Sequence, residues 1–560
     1  MDSNLLNNHT QKAASNDQLD TVLSHIKTIH KNIQQQAKYE QSKLNTTSQQ
    51  ALGPKFSIEY FNYEEELEKM EENTDYGLSL EEATKEIYPF FQGAIRLESP
   101  MAMFNVSANP LPEATAASCL ANIYNVNFLM DAYAGKGLLI EQKVARTIGN
   151  WMNWKDCFGI SCNGGKTTLL YAVKSALSRI APTSQQNGIP DNLVIITNQK
   201  GHYSIDHVAS ILGIGSHNCL RISSDEDGKM NLAELELVMG SQIKKGKKIA
   251  AIICCGGTTI DFICDDTEAV AQLVDRFTTD NQLQYRPYLH LDAVIGWIYF
   301  SLLNKKDSEI YNIVLNTTIA AKIIEVKNRF QGLASFDSFG TDFHKVGLCP
   351  YTSSFFISRN KDCLNLLTDG NYKYTDQDFN YGQFRSYRYT IENSRPSQGI
   401  LSSWTALLIQ GRNGFIEYLT KLHSNNLHVV NKLEEYDIFN VINKRSLGWE
   451  VVFSIRFNEI ALKQKADFDY NKTAMAFMQR CWEKVNRGAF FPLFSIVPEY
   501  FIQNGNATTA FLIYPTHQNI TMSFINNVID LIFREVSLFE QDIISNTQKI
   551  FSEPIEKPIR

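Results

Sequence analysis

Apolar residues are spaced differently in different stretches of this chain, and the spacing predicts which elements form. Residues 1 to about 55 are rich in Asn, Gln, Ser and Thr, yet Leu19, Val22, Leu23, Ile26, Ile29 and Ile33 recur at helical intervals. One amphipathic helix is expected there, its apolar stripe covering either its own domain or a second subunit. From Phe90 to roughly Tyr389, short apolar runs alternate with helical stretches. Leu193 to Thr197, Ile249 to Cys255 and Tyr288 to Asp292 read as buried strands, and Thr167 to Ile180 and Thr267 to Phe277 as crossover helices. That alternation predicts an α/β domain with a mostly parallel sheet, in which ligands gather at the C-terminal ends of strands. Asp292 falls at such an end.

After Pro396 a helix is expected to run through Trp404 and Leu408 toward Gly411 and to lead out of the large domain. Beyond it, strands such as Trp449 to Phe457 and Thr509 to Tyr514 alternate with helices such as Thr473 to Val485 and Met522 to Glu540. This predicts a second, smaller α+β domain. The expected organisation is a polar, helical N-terminal segment over 1–89, a large α/β domain over 90–411 and a small α+β domain over 412–560.

Composition narrows the function classes. A chain of 560 residues exceeds one ordinary core, and 44% hydrophobic with 20% charged residues is typical of a folded protein. The net charge of −7, without a basic stripe interleaved with aromatics, makes nucleic acid an unexpected partner. No apolar stretch is long enough to span a bilayer and the polar start lacks the features of a secretory signal, so a soluble, cytoplasmic protein is expected. The ten cysteines include no CxxC pair, and the adjacent Cys254 and Cys255 sit in an apolar run. Reduced core thiols are expected, and no metal site.

The candidate chemistry is an ordered series of short motifs. Asn163-Gly164-Gly165-Lys166-Thr167-Thr168 stands ahead of a predicted helix, where backbone amides and a glycine turn suit a phosphate. Gly201-His202-Tyr203-Ser204, Gly256-Gly257-Thr258-Thr259, His290-Leu291-Asp292-Ala293 and Asp342-Phe343-His344-Lys345 follow in that order. A lysine amine holds an aldehyde cofactor as a Schiff base, and an aspartate at a strand end keeps a pyridine nitrogen protonated so that the ring accepts electrons. Each motif has a blander reading, as a turn, a helix cap or a surface histidine.

Taken together, the series resembles the group II pyridoxal-phosphate-dependent amino-acid decarboxylases over about residues 90 to 420. The resemblance implies a large domain like the fold-type I pyridoxal-phosphate-dependent transferases, pyridoxal 5'-phosphate as cofactor, an amino acid as substrate, amine and carbon dioxide as products, and a homodimer. It casts Lys345 as the Schiff-base residue, Asp292 as the partner of the pyridine nitrogen with Ala293 beside it, and His202 as the ring-stacking histidine. Gly164, Gly165, Lys166, Thr167, Thr168, Thr258, Thr259, His344, Thr352, Ser353 and Ser354 are the implied cofactor contacts. Tyr372, Tyr374 and Tyr381, in a segment dense in Gly, Asn, Asp and Tyr, are candidates for the proton donor on a closing loop. Arg395 is a candidate for substrate-carboxylate binding or an ion pair. Lys166, Leu169 and Asp261 depart from the family pattern. The same scaffold also carries aldehyde synthases and carbon-carbon lyases, and a degenerate relative without activity is the remaining alternative.

Overall fold

A computed structural model describes residues 16–44, 63–68, 77–91, 94–368, 384–458, 469–486, 488–501 and 507–545. Seven strands form the larger sheet: β1 (Phe158–Cys162), β2 (Leu193–Asn198), β3 (Cys219–Ile222), β4 (Lys248–Cys255), β5 (Tyr288–Asp292), β6 (Ser338–Asp342) and β7 (Ser354–Ser358). Their order is β1-β7-β6-β5-β4-β2-β3. Strands β2 to β6 pair in parallel, while β7 runs antiparallel to both β6 and β1. The reversal has a chain-length cause. Residues 343–353, which join β6 to β7, are too few for a helical crossover, which takes a dozen residues or more.

The predicted buried strands are found nearly residue for residue. Every residue of β2 and of β6 is buried, and in β4 only Lys248 is exposed, as expected of a sheet covered by helices on both faces. The helix Gly165–Ile180 packs on one face against β4, β6 and β7. Its approach is close: a Cβ on Gly340 would lie 2.4 Å from Thr168 Oγ1, so the β6 position accepts only glycine without a shift.

The helix expected after Pro396 spans Gln398–Glu434, with non-helical backbone at Gly411, where φ is 57°. It therefore continues well past that glycine. It touches the helices Pro112–Ile123 and Gly137–Trp151 on one side and Met522–Ser545 on the other. Four further strands, β8 (Phe439–Val441), β9 (Val451–Ile455), β10 (Ser495–Phe501) and β11 (Ala507–Ile513), make an antiparallel sheet in the order β10-β11-β9-β8. One face of it packs into a second core that Met101, Ala102 and Met103 join, while Val452, Ala510 and Leu512 from the other face join the core of the larger sheet. The amphipathic N-terminal helix forms over Asn16–Leu44 with Leu23 and Ile26 exposed. Among the described residues no helix is long and apolar enough to cross a membrane.

Candidate active site

The C-terminal ends of β4, β5 and β6 and the start of the helix Gly165–Ile180 enclose a cavity of about 140 Å³. Gly165, Lys166, His202, Thr258, Thr259, Asp292 and Lys345 line it, drawn from all five predicted motifs. A larger hollow of about 550 Å³ lies on the outer side of that helix, lined by Leu170, Tyr171, Leu212 and Tyr389 among others. None of the predicted site residues lines it, so chemistry and not size identifies the site.

Lys345 sits in the turn after β6, its side chain 20% exposed, with Nζ 3.2 Å from Asp342 Oδ2. Asp292 ends β5, and among the described residues its Oδ1 is buried with no hydrogen-bond partner. Burial pushes the Asp292 carboxyl up from 3.8 to about 6; the positive charge of Lys345 opposes that rise and the negative charge of Asp342 adds to it. A buried carboxylate oxygen without a donor calls for a protonated partner that the protein does not supply. His202 accepts from the Ser204 backbone N–H through Nδ1 at 3.2 Å, and the same nitrogen lies 2.7 Å from Ser204 Oγ. Burial, then the charges of Lys345 and Lys166, hold its imidazole down at about 4, so the ring is neutral at physiological pH.

At the glycine turn, Gly164 has φ of 125°, a conformation that favours glycine, and the helix begins at the next residue. The first N–H groups of a helix have no carbonyl partner within it and carry a partial positive charge. Lys166 reaches the other way, donating to His207 Nδ1 at 3.0 Å. Thr168 is fully buried and donates to the Gly165 carbonyl at 2.7 Å, so its hydroxyl does not face the cavity. Thr167, one position earlier, does not line the cavity either.

Several other sequence candidates are engaged by the protein itself. Thr258 Oγ1 donates to the Ile260 carbonyl and accepts from the Ile263 N–H, shaping the turn beneath the cavity. Thr352 donates to Asn163 Oδ1, Ser353 to the Pro350 carbonyl, and Ser354 to Asp342 Oδ1 at 2.6 Å. His344 Nδ1 accepts from the Ser353 N–H at 3.3 Å, and Nε2 lies 3.5 Å from Asp342 Oδ2. Burial holds the His344 imidazole below its ordinary value, so that contact is a dipolar one rather than an ion pair. Arg395 is an ion-pair residue. Its Nη1 and Nη2 both donate to Glu141, at 2.6 and 3.3 Å, and Nη1 also reaches the Ser161 hydroxyl at 3.0 Å. It is not brought to the cavity. Tyr372, Tyr374 and Tyr381 lie outside the described residues.

Some supporting residues were not among the site candidates. Asp265, fully buried, accepts from the Cys255 and Met230 N–H groups and from Asn198 Nδ2, tying the ends of β2 and β4 together. Asp261, at φ of 63°, turns away from the cavity and accepts from Tyr500 on β10 at 2.8 Å, while Tyr514 donates to the Thr259 carbonyl. The second sheet thereby holds the turn under the cavity. Glu141 is likewise invisible to a motif search, because its partner lies 254 residues away.

The donor set suits pyridoxal phosphate: an amine for the aldehyde, an orphaned carboxylate oxygen for a protonated pyridine nitrogen, a neutral imidazole and a helix start. Comparison with known proteins agrees. Residues 80–301 match the pyridoxal-dependent decarboxylase conserved domain. Glutamate decarboxylase of Drosophila melanogaster is 28% identical over 184 residues, 32% of this chain and 34% of that protein. Acidic amino acid decarboxylase GADL1 of Bos taurus is 24% identical over 313 residues, 54% of each chain. The chain thus spans between a third and about half the length of these curated relatives. The crystal structure of mouse CSAD superposes with a TM-score of 0.72 at 18% identity, covering 92% of this chain and 99% of that one. A structure of Oryza sativa TDC with PLP and tryptamine has a TM-score of 0.70 at 15% identity, with 93% and 98% covered. Residues 80–301 thus match the pyridoxal-dependent decarboxylase conserved domain, and the strand-end Lys345 and Asp292 meet in one cavity.

Proposed function

We propose that this chain is a pyridoxal-phosphate-dependent enzyme that converts an L-amino acid to its amine and carbon dioxide. The observation that carries the reading is the meeting of Lys345 and Asp292, whose Oδ1 has no partner among the described residues, in a single cavity lined also by His202. Lys345 would hold the cofactor covalently, Asp292 the proton on its ring nitrogen, and the turn at Gly164 and Gly165 its phosphate. When bound, the cofactor supplies an electron sink for the pair left behind as the carboxylate departs. Asp292 favours that sink by holding positive charge opposite it, in a pocket where burial strengthens the interaction. His202, being neutral, offers a flat face without adding a cation beside Lys345. The walls from Ile205, Val294 and Ile295 keep water from the reacting carbon.

The relatives include decarboxylases of glutamate, of acidic amino acids and of cysteine sulfinic acid. Acidic amino acids are therefore the first substrates to try, and a homodimer is the expected assembly. A division of labour between a cofactor-binding unit over 90–411 and a small unit over 412–560 is supported by the break at Gly411 and by the second core on one face of the smaller sheet. The test is a screen of amino acids for carbon dioxide release with added pyridoxal phosphate. Release with stoichiometric amine supports the reading. Aldehyde with ammonia in place of amine makes the chain an aldehyde synthase, and a purified protein that takes up no cofactor removes the enzyme altogether.

A further inference from the structure

Lys166 lines the cavity with no part in the chemistry above. Among the described residues on the cavity wall, two carry positive charge, Lys166 and Lys345, and two negative charge, Asp292 and Asp342. Asp342 Oδ2 lies 3.2 Å from Lys345 Nζ, and the unpartnered oxygen of Asp292 suits a protonated pyridine nitrogen. Lys166 is the charge left over. Its one hydrogen bond among the described residues goes to His207 Nδ1 at 3.0 Å, an acceptor without negative charge. The acid next to that histidine, Asp206, is taken by Arg221.

The direction of the side chain separates this lysine from the phosphate turn. Lys166 is the second residue of the helix Gly165–Ile180, and its Nζ leaves that helix for the neighbouring helix Ser204–Ile211, which follows His202 in the chain. The ammonium is thus drawn to the side of His202, whose imidazole is held down by burial and then by the charges of Lys345 and Lys166. A cation in the first turn of a helix is opposed by the helix's own partial positive charge, and an anion held beside it answers both. Leu169, Ile205, Val294 and Ile295 make much of the remaining wall apolar, where an anion without a cation is costly to bury.

We propose that Lys166 selects for an acidic substrate, exchanging its bond to His207 for the side-chain carboxylate or sulfinate of the amino acid. The inference rests on the decarboxylase reading and deepens it. An acidic amino acid brings two anionic groups. The α-carboxylate leaves as carbon dioxide, while the side-chain anion stays and needs a cation that the reaction does not use. Lys345 is committed to the cofactor, and Lys166 is not. An ammonium beside a carboxylate gains the attraction of two full charges, which an imidazole nitrogen does not give, and a neutral side chain of the same length gains nothing from it.

The experiment reads binding, not turnover. The protein is loaded with pyridoxal phosphate and reduced with borohydride, which fixes the cofactor and stops its exchange with amines. Pyridoxyl fluorescence then reports the dissociation constants of succinate and glutarate against those of butyrate and pentanoate. The wild type should bind at least one dicarboxylate more tightly than the monocarboxylate of its length, and Lys166→Met should cut that preference about ten- to a hundredfold. Lys166→Arg, which keeps the charge, should keep most of the preference. Lys166 is exposed, so neither substitution disturbs the core. The dissociation constant of pyridoxal phosphate itself, measured before reduction, should move by less than about threefold in Lys166→Met. A wild type without the preference, or a Lys166→Met variant that retains it in full, overturns the proposal. Weaker cofactor binding in Lys166→Met with the preference intact makes the lysine a phosphate contact and overturns it as well. The screen for carbon dioxide release tests the decarboxylase reading separately, because the binding ratio needs no turnover.

Discussion

At the floor of the cavity Asp292 presents a buried oxygen without a partner, and Lys345 keeps 20% of its side chain exposed. Behind β1, Glu141 and Arg395 are 1% and 2% exposed, and both terminal nitrogens of the guanidinium go to that one carboxylate. Both regions pair an acidic residue with a basic one, and the resemblance gave Arg395 a possible share in the site. The difference is valence. The Asp292 carboxylate keeps a buried oxygen without a donor and is arranged for something that arrives, while both Glu141 oxygens are taken by the guanidinium, of which only Nε is left over, and that pair holds elements in place.

Substitutions separate the two regions. The largest effect is expected of Lys345→Ala, which should remove both the visible absorbance of the cofactor adduct and all measurable decarboxylation. Asp292→Asn should retain the absorbance yet lower kcat by about a thousandfold, about 4 kcal/mol on the barrier. Turnover near the wild-type rate in that variant would put the floor and the wall in one class. Arg395→Met should cost about 3 to 5 kcal/mol of stability, because Glu141 is left as a buried charge without a counter-ion. That loss is read from the denaturant midpoint, and a change confined to KM would return Arg395 to the substrate site.

A smaller effect distinguishes the regions by pH. Burial raises the Asp292 carboxyl from 3.8 to about 6, so between these values the folded, cofactor-free protein binds more protons than the unfolded chain. The contribution of Asp292 to stability is therefore whole below about pH 4 and falls as pH rises through about 6, by roughly 3 kcal/mol. Thermal melts of wild type and Asp292→Asn across this range should diverge by that amount. Parallel curves would show that Asp292 is not held in a desolvated site.

Legibility in the sequence followed locality. Buried parallel strands read as continuous apolar runs, so β2, β4 and β5 were visible within a residue or so of their bounds, and Asp292 and Lys345 were visible because their motifs are contiguous. The edge strand β1 and the reversed β7 were not, since nothing local separates Phe158–Cys162 or Ser354–Ser358 from other short apolar stretches. Hydroxyl groups were the least legible. Thr168, Thr352, Ser353 and Ser354 all stand in the right motifs, yet a hydroxyl swings to whichever acceptor its backbone puts nearest, and here those acceptors are protein atoms.

By itself the sequence determined the alternation of strands and helices, the strand end that bears Asp292 and the lysine that follows β6, because periodicity and contiguous motifs are properties of neighbouring residues. Only the tertiary structure decided which charges remain free. Glu141 meets Arg395, Tyr500 meets Asp261 and Ser354 meets Asp342 through pairings of strands and helices distant in the chain. The partner of a polar side chain is set by what packing brings within about 3 Å of it, and a linear pattern does not contain that distance.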